Sequence, residues 1–205
     1  MHVLTLASRK GGAGKSTLTR AFAVAATDDG PVWVLDMDPQ ATVIEWAGRR
    51  QAQAPTVRPA TPATVGAEVE AARKAGARWV FIDTPPHTDI AVAEAARLSA
   101  AIIIPIRPSP DDIGAVRHTV EIARNMEKPA ALVINSAPIR AAASGMARAA
   151  LAPFGLPVVP HDLADRIAHS YASAAGQTAA EYEPGGKAAQ EIAAAWTFIR
   201  AVFKL

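Results

Sequence analysis

The chain has 205 residues, of which 50% are hydrophobic, and its formal net charge at neutral pH is +2. This length suffices for one domain with a substantial core and is short for two. The sequence contains no cysteine, which excludes disulfides and thiolate metal sites. Because the net charge is modest, any binding of nucleic acid has to come from a local basic patch.

The sequence also bears on where the protein acts. Its apolar runs are shorter than the roughly 18 residues that a membrane-spanning helix requires. The first apolar run begins at Val3, which leaves no room for a signal peptide before it. We therefore expect a cytoplasmic protein.

Apolar runs alternate with helical periodicity along the whole chain. Buried strands are predicted at residues 3–7, 32–36, 79–83, 101–106 and 130–135, and weaker signals predict short strands near Val57 and at 158–159. Helices are predicted at about 15–26, 42–52, 63–75, 90–98, 113–126 and 145–152, followed by two C-terminal helices. Near-continuous apolar strands separated by helices are typical of a mostly parallel sheet covered on both faces. The prediction is one α/β domain spanning residues 1–205.

The segment after the first predicted strand has the pattern of a phosphate-binding loop. It reads Ser8-Arg9-Lys10-Gly11-Gly12-Ala13-Gly14-Lys15-Ser16-Thr17 and leads into a predicted helix. Glycines let several backbone N–H groups point at one anion, and the helix N-terminus adds its positive dipole end. The pattern predicts that residues 11–17 bind nucleotide phosphates, that Lys15 reaches the β- and γ-phosphates, and that the Ser16 hydroxyl binds Mg²⁺.

Two features distinguish this loop from the usual G-x-x-x-x-G-K-[ST] pattern. Arg9 stands where that pattern has its first glycine, and Lys10 precedes the glycine pair. The run Lys-Gly-Gly-x-Gly-Lys-Ser resembles the deviant Walker A motif of the ParA/MinD family of P-loop ATPases. The resemblance implies ATP and Mg²⁺ as cofactors. It also implies a homodimer with ATP at the interface, in which Lys10 reaches the phosphates bound by the partner subunit and acts with Lys15 in catalysis.

Acidic residues follow two other predicted strands. The segment Asp-Met-Asp-Pro-Gln at 36–40 resembles the family's switch I, in which the second acid, here Asp38, is required for hydrolysis. A turn that merely caps the next helix is the alternative. Asp83 ends an apolar strand in the manner of a Walker B motif. Ligands of parallel sheets bind at the carboxyl ends of the strands, so we predict that Ser16, Asp38 and Asp83 hold Mg²⁺.

Asn135 ends the predicted strand at 130–135 and matches the family's adenine-contacting asparagine. An amide can both donate to and accept from a purine edge, although a routine strand-end cap is the alternative. The chain continues to resemble the ParA/MinD family, more loosely, as far as its C-terminus. Within that family the resemblance is closest to short ParA partition proteins that lack an N-terminal DNA-binding domain.

The resemblance implies an ATPase that is weakly active alone and binds DNA non-specifically in its ATP state, so that it is then nucleoid-associated. A centromere-binding or cargo adaptor protein would stimulate hydrolysis, and the cycle would segregate or position plasmid DNA, chromosomal DNA or a large protein cargo. Candidate DNA contacts are Arg140, Arg148 and Arg166.

Two alternatives stay open. One is a MinD-like, membrane-associated ATPase, and the other is a nucleotide-switched regulator with little turnover. The membrane alternative rests on apolar residues at helical spacing in segment 191–205, such as Ile192, Trp196 and Ile199. A helix docked on the sheet gives the same spacing and is the favoured interpretation, so we expect no membrane partner.

Overall fold

A parallel β-sheet forms the centre of the protein in a computed structural model that describes residues 1–138 and 143–205. Its strands are β1 (His2–Leu6), β2 (Val32–Asp36), β3 (Thr56–Pro59), β4 (Trp79–Asp83), β5 (Ala101–Ile106) and β6 (Ala130–Ile134). They lie in the order β3-β2-β4-β1-β5-β6, and every neighbouring pair is parallel. The predicted α/β fold with a parallel sheet is confirmed, and the weak strand signal near Val57 corresponds to the edge strand β3.

The helices of the described residues connect these strands and form the C-terminal part of the chain. They are α1 (Lys15–Ala25), α2 (Thr42–Arg49), α3 (Val65–Lys74), α4 (Asp89–Leu98), α5 (Pro110–Asn125), α6 (Ala143–Leu151), α7 (Ile167–Ala174), α8 (Ala179–Tyr182) and α9 (Lys187–Phe203). The helices predicted between the strands are present, with ends displaced by a few residues.

The C-terminal region departs from the predicted elements in two ways. The prediction of two C-terminal helices is wrong, because a one-turn helix, α8, separates α7 from α9. The predicted strand at 158–159 is reduced to a single parallel bridge between Val158 and Leu132. Flanking prolines explain this second difference, because Pro157 and Pro160 lack the N–H groups that a longer ladder needs.

Helices cover both faces of the sheet because successive side chains of each strand point to opposite faces. Leu4 and Phe81 belong to a core cluster with residues of α1, α2 and α9, whereas Val3 and Val80 pack with residues of α3 and α4. On β5, Ile102 belongs to a third cluster, which includes residues of α5 and α6.

The C-terminal helix α9 is part of this core. Ile192, Trp196 and Ile199 are buried, and the Trp196 ring lies 5.6 Å from that of Phe22 and 5.1 Å from that of Trp79. The interpretation of this helix as docked on the sheet is therefore confirmed. None of the helices in segments 1–138 and 143–205 combines the length and hydrophobicity needed to cross a bilayer.

Candidate ATPase site

The loop between β1 and α1 opens onto a cavity of about 530 Å³ at the carboxyl edge of the sheet. Neighbouring strands bring their following residues to the same place, since Leu6 of β1 is in register with Asp83 of β4 and with Ile103 of β5. The cavity is lined by Gly11, Gly12, Gly14, Lys15, Ser16, Thr17, Arg20, Asp38, Gln40, Thr42, Pro86, Arg107, Asn135, Ser136, Ala164, Asp165, Arg166, His169 and Ser170.

Two loop glycines adopt backbone conformations that are unfavourable for residues with a side chain. Gly12 has φ +73° and Gly14 has φ +99°, both in the left-handed region. Gly14 is also the N-cap of α1, so the first N–H groups of that helix have no intrahelical partner. Because Lys15 and Ser16 line the cavity, this helix N-terminus provides an anion site there.

The two lysines of the loop lie in different environments. Lys15 is buried, and its Nζ donates to the carbonyl oxygens of Ser8 at 3.2 Å and Lys10 at 3.4 Å. Burial lowers the pKa of Lys15, and the nearby Asp83 and Asp38 carboxylates oppose that shift. The Lys10 side chain is half-buried, and its ammonium makes no hydrogen bond or ion pair within the part of the chain that the structure describes.

Asp83 has the character expected of a magnesium ligand. Its Oδ1 accepts a hydrogen bond from Thr19 Oγ1 at 3.1 Å, whereas its buried Oδ2 finds no partner among the described residues. Burial raises the pKa of Asp83 to about 7. An unpartnered carboxylate oxygen beside a serine hydroxyl fits a hard cation that takes oxygen ligands. Asp83 and Ser16 would hold Mg²⁺, which when bound neutralises phosphate charge.

Within residues 1–138 and 143–205, no group of three or more His, Cys, Asp or Glu side chains is arranged to hold a metal ion.

The two acids at the end of β2 lie in different environments. Asp36 is buried; its Oδ1 accepts from the Asp38 N–H at 3.0 Å, and its Oδ2 accepts from the N–H groups of Val43 at 3.0 Å and Ile44 at 3.1 Å. Asp36 therefore caps α2. Asp38 lines the cavity, and among the described residues its carboxylate accepts one local bond, from the Gln40 N–H at 2.9 Å. The helix-capping alternative thus describes Asp36, and Asp38 faces the nucleotide cavity.

Asn135 is bound directly to the phosphate loop. Its Nδ2 donates to the Ala13 carbonyl at 2.9 Å, and a Cβ placed on Gly14 would lie only 2.0 Å from that nitrogen. Asn135 also lines the cavity, where it could reach a bound base. The adenine contact itself stays a prediction. The capping alternative is too simple, because the amide spans from the end of β6 to the loop that follows β1.

Two arginines on the cavity wall were not among the predicted site residues. Arg20, in α1, is buried and donates to the Ser16 carbonyl at 3.0 Å and to Ser173 Oγ, in α7, at 2.7 Å. Burial lowers the pKa of Arg20 to about 10. Arg107, which follows β5, lies beside Gly12. The only signal for Arg107 in the sequence was its position at a strand end.

The candidate DNA contacts lie in differing places. Arg140 lies outside the described residues. Arg148 is half-buried and forms an ion pair with Asp162. Arg166 lines the nucleotide cavity and is held by Glu191, with Nη2 at 2.6 Å from Oε1. DNA binding by these residues stays a prediction, and both described arginines would have to share their carboxylate partners with a phosphate.

Comparison with known proteins agrees with this site. The sequence model of the CobQ/CobB/MinD/ParA nucleotide-binding domain matches residues 4–179. Maintenance of carboxysome distribution protein A of Halothiobacillus neapolitanus is 26% identical over 196 residues, which cover 92% of this chain and 91% of that protein. The protein of the same name from Gloeobacter kilaueensis is 29% identical over 126 residues, covering 60% of this chain and 56% of the relative.

Solved structures show the same fold at low sequence identity. An ATP complex of a McdA variant from Cyanothece superposes with a TM-score of 0.77 at 16% identity, covering 100% of this chain and 97% of that one. The cell division ATPase MinD of Pyrococcus furiosus superposes with a TM-score of 0.79 at 18% identity, covering 98% and 99%.

The site and fold define a P-loop nucleotide-binding protein. The chain belongs to the CobQ/CobB/MinD/ParA nucleotide-binding family. The predictions of a ParA/MinD-type ATPase, with ATP and Mg²⁺ as its cofactors, are confirmed at this level.

Proposed function

We propose that this ATPase dimerises around ATP, binds DNA non-specifically in that state and positions a large protein assembly through hydrolysis stimulated by an adaptor protein. The observation that carries this proposal is the end-to-end similarity to a protein named for the maintenance of carboxysome distribution, which covers 92% of this chain and 91% of the relative. That name favours a protein cargo over plasmid or chromosomal DNA.

The two lysines of the loop support the dimer. Lys15 is held inside the loop by carbonyl oxygens of its own chain. The Lys10 ammonium has no such partner within the described residues, so it is available to the phosphates of a second subunit. Two subunits meeting over two ATP molecules repel each other unless cations lie between them. Lys10 of each subunit would supply that positive charge at the other subunit's phosphates. ATP would then hold the dimer together, and hydrolysis would release it.

The alternative of a membrane-bound ATPase loses its sequence support. The apolar residues of α9 that suggested an anchor are Ile192, Trp196 and Ile199, and they are buried in the core. Binding to a membrane would require α9 to leave Phe22 and Trp79. DNA is therefore the surface that we propose for the ATP state.

Co-sedimentation of the Asp38→Ala variant tests whether the ATP state binds DNA or a membrane, because this variant should retain ATP without hydrolysing it. Plasmid DNA and vesicles of phosphatidylglycerol and phosphatidylcholine serve as separate baits, each with ATP or ADP. The proposal predicts that the variant binds DNA with ATP and not with ADP. Its affinity for DNA should fall steeply as the salt concentration rises, because contacts to DNA phosphates release counterions. Binding to the vesicles, or equal DNA binding with ADP, would contradict it.

Turnover separates the proposal from a regulator that uses ATP only as a switch. Phosphate release by the wild-type protein should rise when DNA and the adaptor are both present, and the Asp38→Ala variant should show no such rise. A wild-type rate that stays negligible under all conditions would favour the regulator.

A further inference from the structure

Arg107 stands on the wall of the ATP cavity but belongs to none of the motifs that identify the site. It follows β5, the strand that pairs with β1 and so lies beside the phosphate loop. The backbone around it is held firmly, since the Asn135 N–H donates to the Ile106 carbonyl at 2.8 Å and the Ser109 N–H donates to the Arg107 carbonyl at 2.8 Å. The side chain therefore projects from a fixed point of the sheet edge.

The guanidinium of Arg107 packs against the phosphate loop itself. A Cβ placed on Gly12 would lie 3.1 Å from Nη2 and 3.5 Å from Cζ of Arg107. Gly12 is one of the loop glycines in the left-handed conformation and also lines the cavity. The positive group consequently lies next to the backbone that receives the phosphates.

Arg107 also differs from the other arginines of the cavity in having its donors available. Arg20 is bound to the Ser16 carbonyl and to Ser173, and Arg166 is bound to Glu191. The Arg107 side chain is exposed, and no hydrogen bond or ion pair between described residues uses its guanidinium. A guanidinium carries five N–H donors in a planar fork that matches two phosphate oxygens.

The charge balance of the site calls for such a group. Asp38 lines the cavity with Lys15, Asp83 ends the strand that pairs with β1, and both carboxylates attract the Lys15 ammonium. Part of the positive charge of Lys15 is thereby offset before a nucleotide binds. ATP then brings several further negative charges, and a preorganised cation beside them is worth more there than in water.

We propose that Arg107 is a phosphate-binding residue of this ATPase, and that it contacts the terminal phosphate of the ATP bound by its own chain. ATP carries one more phosphate than ADP, and the Arg107 guanidinium beside Gly12 can bind that added negative charge together with Lys15 and Mg²⁺. Arg107 thus makes the site prefer ATP over ADP. The inference rests on ATP being the ligand of this cavity and on no property of the cargo.

The test compares nucleotide affinities of Arg107→Gln and wild type. Binding of the non-hydrolysable analogue AMPPNP and of ADP, each with Mg²⁺, is measured at protein concentrations where sedimentation shows monomers. Loss of a hydrogen bond to a charged group predicts that AMPPNP affinity falls about tenfold or more. ADP affinity should fall less than about threefold, and Arg107→Lys should recover part of the loss.

Arg117→Gln is the matched control, because Arg117 is an exposed arginine of the following helix α5 and does not line the cavity. Unchanged AMPPNP affinity in Arg107→Gln would overturn the proposal. So would a loss that appears only where dimers form, since that outcome assigns Arg107 to the partner's nucleotide. A failure of the positioning function would leave wild-type AMPPNP binding intact, so the two failures are distinguishable.

Discussion

Asp36 and Asp38 are separated by one residue, yet the Asp36 side chain is bonded to the backbone and the Asp38 side chain lines the cavity. The Asp36 carboxylate accepts three backbone N–H groups and thereby fixes both the turn after β2 and the start of α2. Asp38 accepts a turn bond from the Gln40 N–H and lines the cavity. The acidic pair therefore combines a structural carboxylate with one that is accessible from the cavity.

This division predicts opposite behaviour for two matched variants. Asp36→Ala leaves three N–H groups without their charged acceptor and should lower the free energy of unfolding by about 2 kcal/mol or more. Asp38→Ala removes one solvated turn bond and should change it by less than about 0.5 kcal/mol. Urea unfolding measures the free energy of unfolding of both variants. Phosphate release measures activity, which Asp38→Ala should abolish. Equal destabilisation by the two variants would contradict these assignments.

Positions that depend on local spacing follow from the sequence, whereas the roles predicted for them stay predictions. Lys15 and Ser16 line the cavity and Asp83 ends the neighbouring strand, because a loop and a strand end bring them to the sheet edge by rules that hold within a few residues. Arg20 could not be predicted as part of the wall. Its partner Ser173 lies 153 residues away in the chain, so only the packed fold brings the two together.

At the scale of elements, α9 connects the core to one wall of the cavity. Glu191 of α9 accepts from the Ala164 N–H at 3.1 Å and from Arg166 Nε at 3.1 Å, and Ala164 and Arg166 both line the cavity. The ion pair with Glu191 raises the pKa of Arg166. The phosphate loop forms another wall, so we expect segment 164–166 to contact the base or ribose.

Glu191→Ala should therefore weaken nucleotide binding without favouring one nucleotide. Segment 164–166 loses two anchors, and affinities for ATP and ADP should fall by similar factors, about tenfold for one charged hydrogen-bonded contact. Calorimetric titration with AMPPNP and ADP measures both. Thr197→Ala is the control, since Thr197 is exposed on the same helix and its hydroxyl donates to the Ala193 carbonyl within that helix. A selective loss for AMPPNP would show that this segment contacts the terminal phosphate instead.

A second connection, between α2 and α8, predicts how stability depends on pH. Burial alone would raise the pKa of Glu181, but hydrogen bonds from Arg50 and Thr178 outweigh it and hold that pKa below its ordinary value. The unfolded chain then takes up the proton first as pH falls. The stabilisation by Glu181 is thus complete above its ordinary pKa of about 4.3 and is lost as pH falls through the lower, folded value.

The urea midpoints of wild type and Glu181→Gln measured between about pH 7 and pH 3 test this expectation. The wild-type advantage should be constant near neutral pH and should shrink in the acid range. Glu70→Gln is the control, because Glu70 pairs with Arg73 on the exposed surface of α3. A wild-type advantage that does not change with pH would contradict the assignment.

Element prediction was most accurate for the buried strands and least accurate after residue 157. The strands β2, β4 and β5 have the predicted bounds, because near-continuous apolar runs between turns define them. The one-turn helix α8 has no apolar periodicity to reveal it. Its capping box and the Arg50 contact with Glu181 stabilise it, and the latter depends on tertiary structure.

For the whole molecule, alternation of strands and helices was enough to predict a parallel sheet and the edge where ligands bind. The order β3-β2-β4-β1-β5-β6 places the phosphate loop between the ends of β4 and β5. Asp83 and Arg107 therefore flank one loop from opposite sides. Cargo is a different matter, because the residues that recognise an adaptor carry no chemical signature comparable to a phosphate loop.

In the proposed cycle, ATP holds two copies of this chain together. Sedimentation velocity of the Asp38→Ala variant at one protein concentration, with ATP and with ADP, tests it most directly. We predict a dimer with ATP and a monomer with ADP, and a monomer in both cases when Lys10 is also changed to alanine. A monomer in the presence of saturating ATP, or a dimer that forms equally well with ADP, would show that ATP does not control dimerisation.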